Sequence, residues 1–182
     1  KFVFSSPTSL QLRVLNFYLS LIKSHTPDAL TYPMFAIDLA RLKFINQHAT
    51  FSDKETLLLE TLKKESQRTK AYDFSALYDF EIASIYHQQS QQYLPKIKED
   101  NRWKAKEAID ICNTVISKFP KSRGAEKCTV LKQQIEQQTL QITSENFLSI
   151  LKDSRLLIRY KNLEQLQFKI LKVSRNQLEK FN

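Results

Sequence analysis

The stretch 112–128, "CNTVISKFPKSRGAEKC", decides how this chain is read. It holds both cysteines and the only glycine of a 182-residue sequence. Pro120 lies midway between Cys112 and Cys128, so antiparallel helices meeting at a bend there would set both cysteines at one height. The flanks support such helices. Ala105, Ala108, Ile109, Cys112, Val115, Ile116 and Phe119 recur at helical spacing before the bend. Ala125, Cys128, Leu131 and Ile135 do so after it. The expectation is a helical hairpin with both sulfurs in its core and Gly124 easing the start of the second helix.

Four more helices are expected upstream. Residues 8–24 place Leu12, Leu15, Leu19 and Ile22 on one stripe, which Pro27 and Asp28 break. A second helix opens at "YPMF", with Pro33 tolerable in its first turn, and gathers Phe35, Leu39, Leu42 and Ile45 or Asn46 on one face. Ser52 and Glu55 have the spacing of a capping box ahead of "DKETLLLETLKKES". A fourth helix covers residues 73–92, followed by the polar loop "YLPKIKEDNR" around Pro95.

Downstream of residue 138 the pattern changes to "TLQIT", "RLLIRYK" and "QLQFKILKVS", short runs rich in β-branched, aromatic and leucine residues. In the last, Leu166, Phe168 and Ile170, with Val173 beyond them, stand against Gln167, Lys169 and Lys172, and "KNLEQ" suits a hairpin connection before it. The fold expected is mainly α: an antiparallel helical array over 1–138, then a short antiparallel β segment over 139–182. Three strands in about forty residues are marginal alone. The segment therefore reads as the beginning of a sandwich, whose bare edge invites self-association.

Composition bounds the alternatives. The chain is 42% apolar and 11% aromatic, enough for a real core. One glycine stands against an average of about 7%, so turns with positive φ are scarce and long helices are favoured. No apolar run reaches the length of about eighteen that a membrane-spanning helix needs. The chain opens at Lys1, and "KFVFSS" is too short for a signal peptide, so a piece of something longer is expected, with any targeting signal upstream. The net charge of +9 is thinly spread. Residues 1–70 carry ten basic and six acidic side chains, 71–138 ten and nine, 139–182 eight and four. No window gathers the Arg/Lys cluster that tracks phosphates, so a solvated basic surface and no nucleic-acid partner are expected.

The pair "AIDICNTVISKFPKSRGAEKC" resembles the second helix of one tetratricopeptide-like repeat running into the first helix of the next. Ala108 takes the small crossing position, Phe119 and Pro120 close one helix, and Ser122 and Ala125 start its successor. Ile82, Ala83 and Tyr86 fit the large-small-aromatic spacing of the preceding helix. The long loop before Trp103 and the irregular period over 1–70 depart from that pattern. The wider order, helices followed by Tyr160, Lys161, Asn162, Leu163, Leu166, Phe168, Lys169 and Ile170, resembles the N-terminal part of alpha-2-macroglobulin-like proteins of Bacteroidetes-type bacteria. There a helical array precedes the first macroglobulin domain, a β-sandwich opening with a Y-(R/K)-N-(V/L)-x-x-L-x-(F/L)-(R/K)-(I/V) run. The resemblance implies a protease-trapping host protein of the periplasm or outer membrane. Its implied partners are the remaining macroglobulin domains of the parent chain, with proteases or a cell-envelope protein beyond them. The family's reactive Cys-Gly-Glu-Gln is not present: Cys112 begins "CNTV" and Cys128 "CTVL".

Other sites follow from the residues. A zinc site needs about four ligands, usually with a close Cys or His pair. His25, His48 and His87 stand far apart, and no CxxC or HxxxH occurs, so no metal or cofactor is expected. A catalytic dithiol uses a close pair at a helix N-terminus, which Cys112 in mid-helix is not. Cys112 and Cys128 are then a disulfide, which an extracytoplasmic location would permit, or two packed thiols. Trp103 is expected to dock the preceding loop onto the helices. Tyr72, Phe74, Tyr78, Phe80 and Tyr86 are expected in core and groove lining, and Glu99 with Asp100 as a solvated helix cap. With no nucleophile elbow and no phosphate loop, no catalytic residue is assigned and the chain is not read as an enzyme. Two functional readings stand: a structural module of a protease-trapping protein, or a stand-alone helical-repeat protein binding a peptide or protein.

Overall fold

A computed structural model describes residues 10–25, 31–145, 153, 155–169 and 171. Among them the order is α1 (Leu10–His25), α2 (Tyr32–His48), α3 (Lys54–Arg68), α4 (Ser75–Ser90), α5 (Lys104–Lys118), α6 (Arg123–Glu136), β1 (Thr139–Ser144) and β2 (Leu156–Lys161). The chain divides into two compact units, Lys1–Ile135 and Glu136–Asn182.

In the first unit, successive helices run antiparallel. Between α3 and α4, Ser66 donates to Asp79 and the Lys63 ammonium lies 5.5 Å from the Tyr86 ring centre. Between α4 and α5, Lys104 at one end sits 4.1 Å over Tyr86. At the other end, Lys118 Nζ donates to the Lys70 carbonyl (2.6 Å) just ahead of α4. Helices two apart run parallel and also touch. Phe35 on α2 stacks on Phe74 at 4.0 Å, and Lys43 pairs with Glu81 on α4 at 2.8 Å. Further along, Lys127 on α6 lies 5.0 Å over Phe80 of α4. Contact with both the next helix and the next but one is how stacked helical hairpins bury a continuous core. The core runs through Phe35, Leu39, Leu62, Tyr78, Ile82, Ala83, Ala108, Cys112, Val115, Cys128 and Leu131. None of these lies on α1, which packs on α2 through Tyr18 and Phe44.

The helix boundaries have local causes. Thr31 precedes α2 in an extended conformation, with Pro33 inside the first turn where its missing N–H is harmless. The expected capping box at Ser52 does not form. The helix starts at Lys54, Asp53 takes the cap position without a side-chain bond, and Ser52 falls one residue too far upstream. Lys54 turns back instead and donates to the Ala49 carbonyl (3.0 Å) at the end of α2.

In the second unit β1 and β2 pair antiparallel, with Leu140 opposite Tyr160, Ile142 opposite Ile158, and Ser144 opposite Leu156. Alternation along a strand then separates two faces. One carries Leu140, Ile142, Leu156, Ile158 and Tyr160, with Ser144 the one polar exception; the other carries Thr139, Gln141, Thr143, Arg159 and Lys161, with Leu157 the one apolar exception. The third expected strand is not formed over residues 165–169. Asn162 leaves β2 in the left-handed region (φ 55°), and its side chain donates to the Gln137 carbonyl (3.2 Å), which ends the extended run. Ile170 and Val173 of that expectation lie outside the described residues.

Candidate interaction surface

The hairpin over residues 104–136 forms as expected, but its glycine serves another purpose. Ser122 caps α6 by accepting the Ala125 N–H (3.1 Å), and the Phe119 N–H closes α5 on the Val115 carbonyl (2.9 Å). Gly124 lies inside α6 and has no positive φ. A Cβ there would overlap the backbone carbonyl group and the Cβ of Ala76, so the missing side chain lets α6 cross close against α4.

Cys112 and Cys128 are both fully buried thiols facing each other across the hairpin. They titrate as one system. The Cys128 hydrogen bond eases loss of the first proton from Cys112. The same bond, then burial, pushes Cys128 far above the thiol range. A pair held this way keeps at least one proton, and its sulfurs are closed to solvent.

The aromatic cluster divides. Phe74, Tyr78 and Tyr86 are core, Phe80 packs against the core beneath Lys127, and Tyr72 is exposed while stacking on Phe74 at 5.0 Å. The Tyr78 hydroxyl is buried without a hydrogen-bond partner. Burial first, then the Asp38 and Glu65 carboxylates, holds it well above the phenol range.

Trp103 does not dock its loop: it is 61% exposed, with the Arg102 guanidinium 5.0 Å from its ring centre. Nine residues separate it from Cys112, about 180° around a helix, so the phase that buries the cysteine turns the tryptophan outward. Glu99 and Asp100 do not cap α5, which starts beyond Trp103. Glu99 accepts the Lys96 N–H (3.2 Å) within the loop, and Asp100 is solvated. His48 packs on Phe44, His87 lies near the end of α4, and His25 ends α1. Among the described residues no group of three metal-ligating side chains gathers.

Two neighbouring hollows were not foreseen. Between α2 and α3, Leu42, Ile45, Phe51 and Leu57 line a cleft of about 190 Å³, with Arg41 and Lys54 at its margin. A smaller one of about 60 Å³ is lined by Glu55, Ile85, Gln88, Gln89 and Gln92. Asn46 and Leu58 line both. The Asn46 Oδ1 is buried and accepts no hydrogen bond, leaving an acceptor between the hollows. The available signal was a polar residue standing where the α2 stripe calls for an apolar one. Arg41 is bound to Asp38 (2.7 Å) and Lys54 to Ala49, so the margin is basic but largely engaged.

No protein-family model, curated protein or solved structure matches this chain.

Proposed function

We propose that the chain is a non-catalytic structural and interaction module, a helical array carrying the opening strands of a β-sandwich. The larger protein would be of alpha-2-macroglobulin-like, protease-trapping type, in the periplasm or outer membrane. The observation that carries this is the β1–β2 ribbon, with one face apolar except for Ser144 at its end and the other polar except for Leu157. A sheet divided in that way is built to be covered on one side by another sheet. The type of sandwich rests on the resemblance of the run from Tyr160 to Ile170 to the opening strands of that family. In this reading the array orients the β-domain, and the partners are further macroglobulin domains and the trapped protease. The test is to challenge the full-length protein with endoproteases of several specificities. Retention or inhibition is expected, and failure with all of them overturns the reading.

A second reading, a stand-alone repeat protein taking a peptide, is favoured by the α2–α3 cleft. Its apolar walls, Leu42, Ile45, Phe51 and Leu57, suit an apolar side chain of a peptide. Substituting Leu42→Asp, which puts a charge in the cleft wall, should then abolish peptide capture, and capture left intact overturns this second reading.

A further inference from the structure

The loop between α4 and α5 is closed and ordered, yet it turns its apolar residues outward. Leu94 and Lys98 exchange backbone hydrogen bonds of 3.1 and 2.9 Å, and the Ile97 N–H returns to the Leu94 carbonyl (3.1 Å). Lys96 holds a positive φ of 67°, uncommon for a side-chain-bearing residue, and the Glu99 carboxylate fastens its N–H. The result is a tight turn through Pro95, Lys96 and Ile97. Ile97 is 82% exposed, the highest value among the large hydrophobic residues described; Leu94 is 52% exposed and Trp103 61%. Lys96, Lys98 and Arg102 flank them in solvent. Glu99 holds the turn and Asp100 lies in solvent, and the three cations against these two carboxylates leave the loop with a net charge of +1.

We propose that this loop docks on an anionic lipid surface. Ile97 and Leu94 enter the acyl boundary, Trp103 sits at headgroup level, and the three cations meet lipid phosphates. An exposed apolar turn needs no matching cavity in a bilayer, whereas a protein partner would have to supply one. The cations flanking the apolar residues match a negatively charged surface and keep their heads in water while their stems follow it inward. This inference is independent of the protease-trapping reading.

Trp103 is the only tryptophan, so its emission reports on this loop alone. The chain is titrated with vesicles of phosphatidylcholine and with vesicles containing phosphatidylglycerol. The expected result is a blue shift and co-sedimentation with the anionic vesicles, weak on the neutral ones and lost as salt is raised. Ile97→Asp should remove the shift, and Lys96→Glu with Lys98→Glu should remove the preference for anionic lipid. Both changes lie at exposed positions, and a wild-type circular dichroism spectrum confirms that each variant folds. Unchanged emission with anionic vesicles overturns the proposal. So does equal binding to both lipids, which would remove the anionic preference, or binding that Ile97→Asp leaves intact, which would place the contact elsewhere on the molecule.

Discussion

An alanine at position 124 would set its Cβ onto the Ala76 carbonyl group, where α6 crosses α4. The atoms in the way are largely backbone and cannot rotate aside. Overpacking of this kind costs about 1–3 kcal/mol, against a helix-propensity gain of about 1 kcal/mol for replacing glycine. Gly124→Ala should therefore destabilise the helical unit, visible as a lower denaturation midpoint with unchanged slope. A stabilised variant would mean that α6 does not approach α4 so closely. Asp79 gives a pH-dependent test at the same scale. Burial raises its carboxyl above the ordinary range, opposed by the Ser66 hydrogen bond and by Lys118. The folded state thus holds its proton more tightly than the unfolded chain does. Its stabilising contribution is full below the unfolded carboxylate pKa and is lost as pH rises through the folded one. Urea melts across that window should show declining stability in the native protein, with the decline reduced in Asp79→Asn.

At the scale of the element, the hairpin of α5 and α6 and the ribbon of β1 and β2 carry separate expectations. Both thiols should resist labelling in the folded protein and react once it is unfolded without reductant; rapid labelling of the folded protein would put the sulfurs on the surface. The ribbon offers β1 as an edge without a charged residue, whereas β2 carries Arg159 and Lys161. Light scattering over a wide concentration range should show a mass rising above 21.4 kDa, and a strict monomer would exclude edge pairing between copies. These elements also mark what could be read in the sequence. The α5 and α6 stripes were legible because Ala108, Cys112, Val115, Cys128 and Leu131 repeat at the helical period and are all buried. The role of Gly124 was not, because a missing side chain does not reveal which backbone will fill its space. Trp103 misled because its size favours burial, while its phase on α5 places it opposite Cys112. The strand expected from Leu166, Phe168 and Ile170 rested on alternation alone, which does not register a left-handed Asn162. The α2–α3 cleft arises from packing between helices, and only the polar Asn46 hinted at it.

At the scale of the whole molecule, the first unit has a core built from α2 to α6, while β1 and β2 alone fall short of the three strands usually needed for independent stability. The charge of +9 is spread over the chain rather than gathered on one element. Calorimetry of the intact chain beside a variant lacking residues 139–182 tests this modular organisation most directly. The expected result is that the variant keeps the helical circular dichroism and the main transition of the intact chain, within a few degrees in Tm. A variant that aggregates, loses its helical signal or melts far below the intact chain would contradict it, because the array would then need the β segment to fold.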